Sequence, residues 1–225
     1  MNQRNIKWDL DQPWCIGIED YKTLTNYIDS SSFNLIVELG SGLSTFQLAE
    51  DFPNVKILSL ENNSKIMEEN NQTLKSNGKD YAQILFAPIK KSICQGAIFE
   101  TYDFKTLKNN SQIDLLIVDG PVEKEFPLGR EASLYFLFDK LAIGAVIGLD
   151  DYHRSSAKAT VNNWLTVFGN SIAIEEETSS FIVLRKKSEC FRYPFNFNLA
   201  WRSYKLIIPK ITTKVRSNIR SKFTN

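Results

Sequence analysis

From residue 19 to residue 168, apolar runs of strand length alternate with stretches of helical periodicity, the pattern of βαβ units and a mostly parallel sheet. Strands are expected over 34–39 (NLIVEL), 55–61 (VKILSLE), 81–88 (YAQILFAP), 113–120 (IDLLIVDG) and 145–151 (AVIGLDD). Helices are expected over 19–29, 46–52, about 63–76, 130–141 and 156–168. The pattern then changes: 171–176 and 180–186 are strands joined by only Glu177, Thr178 and Ser179, too close for a helical crossover, so they pair antiparallel. Lys90 to Gln112 has weak periodicity and is read as a loop with one short helix. Five parallel strands closed by an antiparallel hairpin make an α/β, Rossmann-like doubly wound sheet. Such sheets bind ligands at the carboxyl ends of their strands, and here acids stand at those ends: Glu38, Glu61, Asp119, and the pair Asp150 and Asp151.

Composition sets the scale. A chain of 225 residues, 43% apolar, can bury a full core, and its expected organisation is one domain over 1–186 with an appended segment over 187–225. The first residues lack an apolar stretch of signal type, and the longest apolar run, Leu141 to Leu149, is far short of the roughly 20 residues a membrane span needs; the expected location is cytoplasmic. Three distant cysteines, Cys15, Cys94 and Cys190, suit neither a disulfide framework nor a zinc site and are read as buried small hydrophobes. The net charge of +1 hides an asymmetry: the first 184 residues carry 16 basic and 25 acidic residues, whereas 185–225 carries 11 Lys/Arg against one acid, Glu189. After Pro209, Ile211, Val215, Ile219 and Phe223 recur every four residues among lysines and arginines, the spacing of a short amphipathic basic helix. Such a helix could meet an anionic membrane, nucleic acid or a second subunit, or pack on its own domain; the residues leave these open.

The first strand runs into ELGSGLST, where Gly40 and Gly42 let backbone approach a ligand and the following helix offers free N–H groups to an anion. The spacing is GxGxxT, without the third glycine of the dinucleotide fingerprint. Glu61, ending the second strand, is placed to accept from both hydroxyls of a ribose. Together these features favour a nucleoside ligand that carries a carboxylate. VELGSGLST, SLENN, YDFKTLKNNSQIDLLIVDGP and LDDYHR then resemble, over about residues 19–186, the class I S-adenosylmethionine-dependent methyltransferases. The nearest match is the small-molecule O-methyltransferase-like group, with DGP after the fourth strand and DD after the fifth. The resemblance implies the seven-stranded methyltransferase fold and S-adenosylmethionine as cofactor. It implies that Glu38, Gly40, Ser41, Gly42 and Thr45 line the methionine end with Ser44 nearby, that Glu61 holds the ribose, that Asn62 lies by the adenine and that Asp119 approaches the sulfonium.

In sugar-directed relatives of that group, carboxylates at matching places bind a divalent cation, so Asp119, Asp150 and Asp151 are the candidate ligands of Mg²⁺, which would activate the acceptor hydroxyl. Without a metal, three acids at one rim repel and raise at least one pKa, giving a carboxylate base. His153, the single histidine, is the other candidate base with Asp150 and Asp151, and reads equally as a solvent-facing or helix-capping residue. Arg130 and Arg154 fit either an anionic acceptor or surface ion pairs. The expected partner is a small hydroxylated acceptor, a sugar or glycosylated metabolite. The alternatives are an NAD-dependent oxidoreductase, against which the missing glycine and the final hairpin count, and a methyltransferase-fold binding protein that uses its basic tail on RNA or membrane; a hydrolase is disfavoured by the lack of a GxSxG elbow.

Overall fold

A computed structural model describes residues 7–12, 15–29, 31–108, 112–191 and 195–209. Its strands are β1 (Leu35–Leu39), β2 (Lys56–Glu61), β3 (Ala82–Phe86), β4 (Ile89–Cys94), β5 (Ala97–Tyr102), β6 (Ile113–Val118), β7 (Leu141–Asp150), β8 (Ile172–Glu177) and β9 (Phe181–Lys186). Seven form one sheet in the order β3-β2-β1-β6-β7-β9-β8. β3, β2, β1, β6 and β7 run parallel, β9 is antiparallel to β7, and β8 is antiparallel to β9. The expected doubly wound sheet with a closing hairpin is therefore the observed one.

The central strands read as unbroken apolar runs because both of their faces are covered. All five residues of β1 are buried, and they alternate between two cores: Val37 and Leu39 face Leu134, Trp164 and their neighbours, whereas Ile36 faces Leu24, Leu48 and Phe181. Helices α1 (Ile18–Thr25), α2 (Leu43–Asp51), α3 (Ser64–Ser76), α4 (Gly129–Leu137) and α5 (Ser155–Phe168) supply those layers. α3 begins where Asn63 Oδ1 accepts from the N–H groups of Lys65 and Ile66. From β1 the chain builds outward through β2 and β3, then returns to build the other way through β6 and β7. The strand order therefore reverses between β1 and β6, and the crevice there is where open sheets take ligands.

Two segments depart from expectation. Residues 90–112 are not a plain loop: β4 and β5 form a separate antiparallel hairpin, followed by a short helical turn at Phe104–Thr106. Its two-residue turn has positive φ at both Gln95 (51°) and Gly96 (81°), the geometry that matches strand twist. Strand periodicity was masked because β4 is mixed in exposure, with consecutive lysines at 90 and 91 both exposed. Residues 197–209 form a further helix, α6, N-capped by Asn196, whose Oδ1 accepts from Leu199 N–H at 3.0 Å. α6 packs on the hairpin: Ser203 Oγ accepts the Ile98 N–H at 3.0 Å, and Arg202 reaches the buried Glu131 of α4 at 2.6 Å. The amphipathic helix expected after Pro209 lies outside the described residues. Among the described residues no helix is long and apolar enough to cross a membrane.

Candidate active site

The turn after β1 is shaped by backbone. Gly40 has φ +97°, and a Cβ there would lie 3.2 Å from Gly120 N; Gly42 is extended, with open space where its Cβ would be. Replacing Gly40 by alanine is therefore expected to cost about 1–3 kcal/mol of stability, read by denaturant unfolding. Gly42→Ala should leave stability within about 0.5 kcal/mol and weaken only a ligand that approaches that backbone.

Beneath the turn Glu38 is fully buried and accepts from the hydroxyls of Ser44, at 2.5 Å, and Thr45. Burial raises its carboxyl above the ordinary range while the hydroxyls pull it back. Thr45 Oγ1 also accepts the Gly42 N–H at 3.1 Å, so Glu38 sets the first turn of α2 rather than facing solvent. Glu61 is 7% exposed. Its Oε2 accepts from Ser41 Oγ at 3.0 Å and its Oε1 from Asn63 N–H at 2.8 Å, which ties the β1 and β2 ends together. Asn62, beside it, is exposed. Cys15 lies against the start of α2, and burial raises its thiol pKa; all three cysteines are half-buried.

Across the crevice Asp119, Asp150 and Asp151 converge, each offering one carboxylate oxygen within 4.8 Å of the others. The sequence-derived trio is thus brought together. Arg130, from the first turn of α4, enters the same space. Its Nη1 donates to Asp151 Oδ2 at 2.8 Å and to the Asp150 carbonyl oxygen at 3.3 Å, and its Nη2 to Asp119 Oδ1 at 3.4 Å. Arg154 takes the other Asp151 oxygen at 2.8 Å. Both oxygens of Asp151 are therefore engaged by guanidinium groups, and Arg130 is only 11% exposed. Asp151 itself has φ +61°, a left-handed conformation that Asp tolerates better than most residues.

The Asp119 and Asp150 carboxylates lie together, with one oxygen of each within 4.8 Å of the other. Burial, then the Asp119 charge, pushes Asp150 up to about 8. Burial pushes Asp119 up to about 6 against the pull of Arg130. Such a pair holds a proton at neutral pH and can exchange it with a neighbouring hydroxyl. His153 is exposed on the turn after Asp151, with no hydrogen bond to either carboxylate.

Tyr102 is a member of this site that sequence reading passed over, because it ends the hairpin strand taken for loop. It is 2% exposed, and a Cβ on Gly120 would collide with its hydroxyl. Burial and the charges of Glu61 and Asp119 push its pKa upward, so it stays a neutral phenol. The alternation of AIFETY was the available signal.

No protein-family model and no curated protein matches this sequence. Solved structures do match. An O-methyltransferase from Bacillus cereus in complex with SAH superposes with TM-score 0.56 at 13% identity, covering 78% of this chain and 84% of that one. An rRNA methylase from Streptococcus thermophilus gives TM-score 0.54 at 12% identity over 76% of this chain and 95% of that one. An SAH-bound methyltransferase from Podospora anserina gives 0.52 at 16% identity over 69% and 72%. At these identities the similarity is one of fold: the chain has the seven-stranded, Rossmann-like fold of these methyltransferases.

Proposed function

We propose that the chain is an S-adenosylmethionine-dependent methyltransferase acting on a hydroxyl of a small acceptor, such as a sugar or a glycosylated metabolite. The observation that carries this reading is the buried Glu61 at the switch point beside the Gly40–Gly42 turn. A carboxylate has about four acceptor positions, so Glu61 can receive a ribose diol while keeping Ser41 and Asn63. Gly40, Ser41, Gly42, Ser44, Thr45 and the start of α2 would hold the methionine end. Asn62 flanks the adenine side and Asp119 the sulfonium. Bound there, the cofactor supplies a methyl group already activated on sulfur. The protein's task is then to align the acceptor and accept its proton. Against an NAD reading stands Thr45: it fills the place of the third fingerprint glycine, where close helix–strand packing calls for no side chain, and its fully buried hydroxyl takes the Gly42 N–H, at the second glycine where a pyrophosphate would approach.

In this reading the Asp119–Asp150 pair accepts the acceptor's proton, and His153, exposed and unlinked to the pair, does not. Arg130 takes the place that a divalent cation would have among the three carboxylates, and Asp151 holds Arg130 there. Anchored by two arginines, Asp151 is poorly suited to ligate Mg²⁺, so no step is assigned to a metal.

Thermal denaturation tests the cofactor. S-adenosylmethionine or S-adenosylhomocysteine at a hundredfold excess over Kd should raise Tm by about 5–10 °C, NAD should not, and Glu61→Ala should abolish most of the shift. A shift with NAD alone would favour the oxidoreductase.

A further inference from the structure

We propose that the exposed apolar flank of α6 seats the protein on an anionic lipid surface. α6 has two apolar faces. Leu199, Ala200, Ser203 and Ile207 are buried against the body. Phe197, Trp201, Tyr204 and Ile208, spaced by four, three and four residues, are 70%, 54%, 37% and 48% exposed. At about 100° per residue these four share a sector roughly 60° wide, centred about 115° round the helix from the buried four, so it flanks the buried face. A surface helix with one face in the core is ordinarily polar elsewhere; here Asn198 and Lys205 stand opposite the core, and the flank beside them is aromatic and aliphatic. Phe195, 57% exposed at the start of the helix, lies over Gly96 of the hairpin turn and extends the apolar surface.

Charge selects the occupant. From Cys190 onward the sequence has eight Lys/Arg and no Asp or Glu. Lys205 stands beside the exposed stripe, with its ammonium 5.0 Å from the Trp201 ring centre. In sequence the stripe's spacing continues through Ile211 and Val215, again among Lys210, Lys214 and Arg216. A second copy of the chain paired through this same face would set one basic segment against another and be repelled. RNA would satisfy the basic groups and could stack on the aromatics, but it has no use for Ile208, Ile211 and Val215. A lipid interface uses all three kinds of residue: Trp and Tyr at headgroup depth, aliphatic side chains below, and Lys or Arg drawn to anionic headgroups.

The test is sedimentation of the full chain with vesicles of phosphatidylcholine, with and without phosphatidylglycerol, at low and high salt. Binding should require phosphatidylglycerol and fall at high salt. The double variant Phe197→Glu, Trp201→Glu should lower the bound fraction at least about tenfold with its melting temperature unchanged. Tryptophan emission should shift to the blue on binding, and Trp201→Phe should bind yet lose that shift. The proposal is overturned if the wild type ignores anionic vesicles, or if the double variant binds them as well as wild type. It is likewise overturned if the face instead retains RNA without binding vesicles, or if it drives a dimer that the double variant abolishes.

Discussion

Asparagine in place of Asp150 is expected to lower turnover by about 10²–10⁴-fold while S-adenosylmethionine affinity stays within about twofold, because it removes a base and not a cofactor contact. The same variant carries a pH signature. Burial and the Asp119 charge hold the Asp150 carboxyl at about 8 in the fold, against about 3.9 in an unfolded chain. The folded state therefore keeps a proton that the unfolded chain releases. Its stabilising effect is complete below about pH 4 and is lost as pH rises through about 8. Melting temperature should fall between about pH 4 and pH 8 in the wild type and fall less steeply in Asp150→Asn. Wild-type turnover should rise as pH passes through about 8, where the pair gives up its proton. Unchanged turnover in the variant, or weakened cofactor binding measured by calorimetry, would show that the roles have been divided wrongly.

Arg130→Met is expected to destabilise the protein by about 1–3 kcal/mol near pH 8, since it leaves the partly buried Asp119 and Asp151 carboxylates without the guanidinium that compensates them. The loss should shrink near pH 5, where Asp150, held up to about 8, and most of Asp119, held up to about 6, carry their protons. The variant also separates a built-in cation from a metal. With the guanidinium gone, three carboxylate oxygens within 4.8 Å of one another become a usable set for a hard divalent ion. Mg²⁺ should then raise the melting temperature of Arg130→Met and leave the wild type unmoved, and wild-type activity should survive EDTA. Activity that EDTA removes and Mg²⁺ restores would give the position to a metal after all.

The parts of the molecule that could be read from the sequence are those whose neighbours are dictated by the strand pattern. β1 and β6, covered on both faces, announce themselves as apolar runs, and whatever follows such a run in a parallel sheet must lie at its carboxyl end. That places Glu61, Asp119, Asp150 and Asp151 on one rim before any coordinates are known. The parts that could not be read arrive from elsewhere. Tyr102 reaches the rim from a hairpin whose first strand carries Lys90 and Lys91 in succession. Arg130 is legible as an arginine opening a helix, a candidate for an anion or an ion pair, but only the packing of α4 turns it toward the aspartates. α6 hid because its buried and exposed apolar stripes lie side by side, so no single stripe stood out among Phe197, Leu199, Ala200, Trp201 and Tyr204.

The contact between Gly40 and Gly120 has a consequence for how this pocket can change. A Cβ on Gly40 would come within 3.2 Å of Gly120 N, and one on Gly120 within 3.2 Å of Gly40 Cα. The N–H groups of Asp119 and Gly120 both donate to Leu39 O, at 3.1 and 2.6 Å. The turn after β1 and the turn after β6 are thus clamped main chain to main chain, with no side chain between them to act as a spacer. On the proposed function, the spacing between the cofactor-binding turn and the backbone of Asp119 would be a property of the main chain, while Asp150 enters from the end of β7, outside this clamp. Side chains around the rim can be exchanged without altering that backbone spacing, whereas a one-residue insertion in either turn would shift both turns at once.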